Sequence, residues 1–285
     1  MIGVTGATGE LGGRVAARLA ERGVAMRLIV RDPARAPALD GADITIAASY
    51  HDREEMVAAL RGVDTLFLVS GRESPNRLDE HKSAVDAAVE AGVERIVYTS
   101  FANASPDTAF ILGRQHHATE EHIRATGLVY TFLRDNLYLD FVPFFATPDG
   151  VIAAPAGDGA AAFVARDDVA DVALAVLTGE GHEGATYTLT GGKAYTLAEA
   201  TAILTDVTGR EVVYKAETIE EAYASRAHYG APDWEVEGWV TSYVAIARGE
   251  LERVIDDVER LTGHPPMPLE DLLERYPESW AHLKR

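Results

Sequence analysis

The chain has 285 residues, 47% hydrophobic and 25% charged, a globular composition with room for a main domain and a smaller one. Its 45 acidic residues against 26 basic ones give a formal charge of -19, which argues against nucleic acid and anionic membrane surfaces as direct ligands. The absence of cysteine excludes disulfides and thiolate chemistry. Apolar Ile2 to Thr5 follows Met1 directly and no apolar run approaches membrane-spanning length, so a cytoplasmic location is expected.

Short β-branched runs alternate with amphipathic stretches through the first half of the chain. Strands are predicted at Ile2 to Thr5, Met26 to Val30, Ile44 to Ala47, Thr65 to Val69, Arg95 to Thr99 and Val129 to Leu133. Helices are predicted between them at about Leu11 to Arg22, Arg53 to Leu60, Arg77 to Ala91 and Arg114 to Ala125. Gly23, Gly62, Gly92 and Gly127 fall near the helix ends, where a left-handed residue stops a helix. The repeated helix, glycine, strand phrase specifies an α/β fold, a doubly wound parallel sheet of Rossmann type.

After Arg134 the rhythm breaks, and the aromatic stretch Tyr138 to Phe145 leads through Pro148, Asp149 and Gly150 into a further strand and a glycine-rich turn. The expected division is a nucleotide-binding domain over 1–150 and a smaller, mainly helical C-terminal lobe over 151–285. Segment 163–190, with a helix at Arg166 to Leu177 and a strand at Thr186 to Thr190, is expected to return to the Rossmann sheet. The remainder reads as mainly helical from Leu197 through Trp280, broken at Pro232, Pro265, Pro266 and Pro268. Within it, Glu250 to Glu259 carries Leu251, Val254, Ile255 and Val258 at helical spacing. That predicts an amphipathic helix whose apolar stripe faces the core or, alternatively, a partner.

Between the first predicted strand and helix stands Gly6-Ala7-Thr8-Gly9-Glu10-Leu11-Gly12. In that context Gly6 allows the tight turn, Gly9 lets a pyrophosphate approach the backbone, and Gly12 permits close packing of helix on strand. The helix start offers unpaired N–H groups and a positive dipole end to phosphate. The bland alternative is a glycine-rich turn kept for packing alone. At the end of the second strand, an acidic residue suits the ribose hydroxyl of NAD and an arginine suits the 2′-phosphate of NADP. Here Arg31 takes that place. Asp32 precedes Pro33 and fits an N-cap with proline at the first helical position, so its carboxylate is already engaged. Arg35 offers a second cation, and NADP(H) is the cofactor expected; the alternative is that both arginines are solvated surface groups. Loops at the carboxyl ends of the strands add Ser49 and Tyr50, then Val69, Ser70 and Gly71, then Thr99, Ser100 and Phe101 as candidate cofactor contacts, each of which could equally be an ordinary loop residue.

Several segments together are similar to the NmrA-like branch of atypical short-chain dehydrogenases/reductases. They are the glycine loop, Val30-Arg31-Asp32-Pro33, Tyr98-Thr99-Ser100, Leu133-Arg134-Asp135-Asn136 and Gly181-His182-Glu183-Gly184. The resemblance spans nearly the whole chain, and within the branch it points to the bacterial NADPH-dependent quinone reductases and triphenylmethane-dye reductases. It implies an NADP(H) Rossmann domain with a small lobe closing over the nicotinamide. The wider superfamily pairs a tyrosine with a lysine four residues on. Lys82, Lys193, Lys215 and Lys284 are preceded at that distance by Leu78, Gly191, Glu211 and Trp280, so the pair is absent. By the resemblance, Glu121 takes the place where relatives of this branch keep lysine.

Without that acid, a conjugated acceptor is the substrate most compatible with the sequence, because hydride transfer to a quinone or cationic dye does not generate a strongly basic alkoxide. His116 is the candidate proton donor, since it begins the helix facing the cofactor in this fold. His117, Asn136, Tyr138 and Phe141 are candidates for the acceptor pocket, where aromatics suit a flat substrate. The alternatives are that the histidines pack or face solvent and that the aromatics are core. No ligand-spaced set of residues points to a metal. The activity expected is reduction of quinones or similar small conjugated acceptors by NADPH. The rival is a non-catalytic NADP(H) redox sensor acting through a protein partner, and action on an unknown secondary metabolite stays open.

Overall fold

The computed structural model describes residues 1–47 and 49–284. The first elements are β1 (Ile2–Thr5), α1 (Glu10–Glu21), β2 (Met26–Val30), β3 (Ala42–Ile46), α2 (Arg53–Leu60), β4 (Thr65–Leu68), α3 (Arg77–Ala91), β5 (Arg95–Phe101), α4 (Ile111–Thr126) and β6 (Val129–Asp135). They continue as β7 (Val151–Ala154), β8 (Ala160–Ala161), α5 (Arg166–Thr178), β9 (Thr186–Leu189), β10 (Tyr195–Thr196), α6 (Leu197–Thr208) and β11 (Val213–Ala216). The last are α7 (Ile219–Arg226), α8 (Asp233–Ala247), α9 (Asp257–Thr262) and α10 (Leu269–Arg275).

Seven strands form one sheet in the order β3-β2-β1-β4-β5-β6-β9. β1 pairs in parallel with both β2 and β4, and the β2–β3 and β4–β5 pairs are parallel as well. The chain runs outward from β1 through β2 and β3, then crosses back to β4 on the other side. That reversal creates the crevice at the carboxyl ends of β1 and β4 where doubly wound sheets bind ligands. The central strands are buried on both faces, with Val4, Leu28, Phe67 and Ile96 wholly inaccessible, as helices on both sides of a parallel sheet require. α1 buries Leu11, Val15, Ala16 and Leu19, a stripe at i, i+4, i+5 and i+8. The fold class is the one the alternating pattern specifies.

The chain divides into two compact units. The first comprises Met1–Ala104, Gln115–Arg134 and Asp167–Tyr187; the second comprises Ser105–Arg114, Asp135–Arg166 and the chain from Thr188 onward. In the second, β7 pairs in parallel with β11 and β8 pairs antiparallel with β10. α6 and α7 each begin with a capping box, Thr196 with Glu199 and Thr218 with Glu221. No helix among the described residues is long and apolar enough to cross a membrane.

Three expectations are corrected. The 250–259 segment is not one helix: helical structure begins only at Asp257. A helix would need the Leu251 carbonyl to accept from the Ile255 amide, and tertiary partners take both groups. The carbonyl accepts from the Ala162 amide (2.9 Å) and Asn136 Nδ2 (3.0 Å), while the Ile255 amide donates to Thr190 Oγ1 (3.0 Å). Next, α4 starts at Ile111, so His116 lies in its second turn and is not an opening residue. Finally, β5 and β6 extend through Phe101 and Asp135, which puts Ser100, Phe101, Arg134 and Asp135 in strands.

Candidate functional site

The turn from β1 into α1 is built by its glycines. Gly6 adopts a left-handed φ of 64°, which permits the reversal directly after the strand. The Gly9 amide donates to the Gly6 carbonyl at 2.9 Å, and Gly9 is the N-cap of α1. Its missing side chain matters: among the described residues no side-chain cap bonds the first amides of the helix, the arrangement in which a helix start can meet an anion. Gly12 sits against the turn itself. A Cβ there would lie 2.3 Å from the Gly6 carbonyl oxygen and 2.8 Å from that of Thr5. Glu10, in the same first turn, points its carboxylate to Arg14 at 2.7 Å and stays solvated.

Beside this turn the first unit encloses a cavity of about 320 Å³. Of the residues anticipated from sequence, Gly6, Thr8, Arg31, Ser49, Tyr50, Val69, Ser70 and Gly71 line it. Gly9, Glu10, Leu11, Gly12, Arg35, Thr99, Ser100 and Phe101 do not. Asp32 caps the short helical turn Pro33–Arg35 by accepting from the Ala34 amide at 3.0 Å, which satisfies its carboxylate. Arg31 is exposed and, among the described residues, unpaired. Met56, Arg72, Ser74 and Glu80 also line the cavity and were missed from sequence. Arg72 follows Gly71 directly and could have been found by continuing the same loop one residue.

The lining groups are held by buried hydroxyls. The Tyr50 hydroxyl lies 2.7 Å from both Thr5 Oγ1 and the Val69 carbonyl, and burial pushes its pKa up to about 12, so it remains a phenol. Ser49 Oγ accepts from the amides of His51 and Asp52, fixing the turn that presents Tyr50. The hydroxyls of Thr99 and Ser100, which do not line the cavity, are engaged by neighbours: Thr99 Oγ1 accepts from the Ser70 amide and Ser100 Oγ donates to Glu120. Glu120 is itself fully buried and held by both Nε and Nη2 of Arg134. Phe101 stacks on the His116 ring.

His116 is 6% exposed. Arg77 Nη2 donates to its Nε2 at 2.8 Å, and its Nδ1 faces the Tyr98 hydroxyl at 2.9 Å. Burial, with the nearby Arg77 charge and His81, holds its pKa well below the usual histidine range. The neutral ring therefore directs its one N–H at the Tyr98 hydroxyl, with Arg77 on its other nitrogen. His117, one residue on, is half-buried. Glu121 is exposed and pairs with Arg124. In the second unit, Asn136 is buried and engaged, donating to the Leu251 carbonyl and accepting from the Leu137 amide. Tyr138 donates to Asp135 Oδ2 at 2.7 Å, and the Arg166 guanidinium lies over both the Tyr138 and Phe141 rings at 4.5 and 4.4 Å. Phe141 keeps much of its ring in solvent.

A glycine turn feeding a helix N-terminus, at the switch point of a 3-2-1-4-5-6 sheet, defines the Rossmann dinucleotide-binding class. The chain belongs to the NmrA-like family, whose model matches residues 1–234. It is 37% identical over 291 residues to quinone oxidoreductase 2 of Escherichia coli (strain K12), an alignment covering 99% of this chain and 98% of that protein. Among solved structures it is similar to the NADPH complex of an NADPH-dependent quinone oxidoreductase from Escherichia coli, with a TM-score of 0.89, 34% identity and coverage of 96% of this chain and 99% of the other. It is also similar to the NADP(H) complex of the Citrobacter sp. triphenylmethane reductase, with a TM-score of 0.86, 35% identity and the same coverage.

Proposed function

We propose that the chain is an NADPH-dependent reductase of quinones or similar conjugated acceptors. The observation that carries this reading is the uncapped start of α1 beside a cavity that Gly6, Thr8 and Arg31 share. These residues fit a dinucleotide. The first amides of α1 meet the pyrophosphate, Gly9 admits it without steric hindrance, and the exposed Arg31 neutralises a 2′-phosphate with Arg72 as a second nearby cation. Arg35, one turn beyond Arg31, does not line the cavity. Bound NADPH supplies a hydride to the acceptor. The names of the quinone oxidoreductase and triphenylmethane reductase relatives support an acceptor of conjugated type.

The chemistry asked of the protein is modest. A hydride and one proton turn a quinone into its hydroquinone, and the anion passed on the way is phenolate-like, so water can protonate it. The missing tyrosine and lysine pair and the neutral, engaged His116 agree with a reaction that relies on positioning. The test is steady-state oxidation of NADPH by the purified chain with a panel of quinones. Acceptor-dependent turnover is expected, whereas tight nucleotide binding without turnover on any acceptor would move the protein to a non-catalytic, sensor-type role.

Arg31→Ala sets the cofactor preference apart from binding as such. Loss of a charge-assisted contact worth about 1.5–3 kcal/mol should weaken NADPH binding by roughly 10- to 100-fold. NADH binding should change by no more than about twofold, since it has no 2′-phosphate for the arginine to meet. Equal losses for the two nucleotides, measured by fluorescence titration, would remove Arg31 from the phosphate.

A further inference from the structure

Three successive residues that line the cavity, Val69, Ser70 and Gly71, follow β4 without a strand partner for their amides. Each amide is instead taken by a side chain from elsewhere in the first unit. The Val69 amide donates to Thr5 Oγ1 at 2.9 Å, that of Ser70 to Thr99 Oγ1 at 2.7 Å, and that of Gly71 to His81 Nε2 at 2.8 Å. Two of the carbonyls are held as well, Val69 by Tyr50 and Gly71 by Arg77 Nε at 2.7 Å. Thr5, Thr99, His81 and Arg77 are all buried. A loop fastened through five backbone groups to fixed side chains does not follow the ligand; it meets the ligand in one shape.

The donors decide the rest of the network. An amide and a guanidinium only donate, so His81 must present a lone pair at Nε2 to Gly71, and His116 one at Nε2 to Arg77. Both rings then carry their hydrogen on Nδ1. His81 directs it at Thr119 Oγ1 (3.0 Å) and His116 at the Tyr98 hydroxyl (2.9 Å). Thr119 in turn donates to the Gln115 carbonyl. The chain of bonds ties α3, α4 and β5 to one loop, and each ring fits it only when neutral.

We propose that Thr99 and His81 are positioning residues for the nucleotide, which set the shape of the 69–71 loop without touching the ligand themselves. The inference rests on the nucleotide site proposed above. One consequence follows for recognition. With all three of its amides engaged, this loop has none left for an anion, so among the backbone groups of the site phosphate binding falls to the start of α1.

Thr99→Val keeps the shape of the side chain and deletes the acceptor, whereas Thr99→Ser retains it; His81→Leu and His81→Gln make the same contrast at the next amide. Thr99→Val and His81→Leu should each raise the Kd for NADPH about tenfold, the loss expected for one buried hydrogen bond. Thr99→Ser and His81→Gln should bind within about threefold of the parent. The KM for a quinone, at saturating NADPH, should stay within about twofold. Lower thermal stability with unchanged Kd would show a merely structural role and overturn the proposal, as would a Thr99→Ser that binds as weakly as Thr99→Val. Should His81→Leu not fold, the near-isosteric Thr99 pair decides alone. If the parent protein binds no NADPH, the nucleotide reading itself fails; if the parent binds and Thr99→Val binds equally well, only this inference fails.

Discussion

Gly12→Ala is expected to destroy the site by destroying its turn. The added Cβ would stand 2.3 Å from the Gly6 oxygen, 2.5 Å from its carbonyl carbon and 2.8 Å from the Thr5 oxygen. All three are backbone atoms of the strand end and turn, so no rotamer change relieves the clash, and α1 must move off the sheet. Overpacking of this kind costs about 1–3 kcal/mol where side chains give way and more where backbone must. Thermal melts should show a drop of several degrees, and the residual folded protein should bind NADPH more than about a hundredfold more weakly. Gly9→Ala is the informative contrast. Its Cβ would meet only the Gly6 oxygen at 3.3 Å, and Gly9 has an ordinary extended φ of -105°, so the variant should fold with nearly parental stability. The methyl would stand where the pyrophosphate approaches, and NADPH affinity should fall by at least about tenfold. A Gly9→Ala protein that binds like the parent would place the phosphates somewhere else.

The second large effect concerns stability and pH. Asp135 ends β6 at 4% exposure, with Oδ2 accepting from Tyr138 and no hydrogen-bond partner for Oδ1 among the described residues. Burial raises its pKa from 3.8 to about 8; the Tyr138 hydrogen bond and the Arg166 charge oppose that rise without cancelling it. The folded protein therefore retains a proton that the unfolded chain releases. The stabilisation from the protonated carboxyl is fully present below about pH 4 and is lost as pH rises toward about 8. Asp135→Asn keeps an acceptor for Tyr138 and cannot ionise. Its unfolding free energy should gain on that of the parent steadily from pH 5 to pH 8, by about 4 kcal/mol over that range, read as a widening gap in melting temperature. Parallel curves for parent and variant across that range would show that Asp135 carries no such proton.

The sheet was legible because strands buried on both faces read as apolar runs, and the Gly23, Gly62, Gly92 and Gly127 stops separate them from the helices. The glycine turn and the Asp32 cap were legible for the same reason: each is a local device whose chemistry lies within a few residues. What was not legible depends on distant partners. Gly113 interrupts the helical pattern, so α4 reads as starting at Arg114, yet it begins at Ile111 and carries His116 into the interior beside Arg77. Leu251, Val254, Ile255 and Val258 have faultless helical spacing. Spacing alone does not disclose that Ala162, Asn136 and Thr190 claim the backbone groups such a helix needs. The anchors of the 69–71 loop come from sequence positions 5, 81 and 99, and no spacing rule links a threonine at the end of β1 to a histidine on α3.

A fluorescence titration of the purified chain with NADPH and with NADH reaches the core of this account. One nucleotide should bind per chain, NADPH more tightly than NADH, and Gly9→Ala should weaken both. A chain that is folded by its melting curve and yet binds neither nucleotide would contradict the account outright.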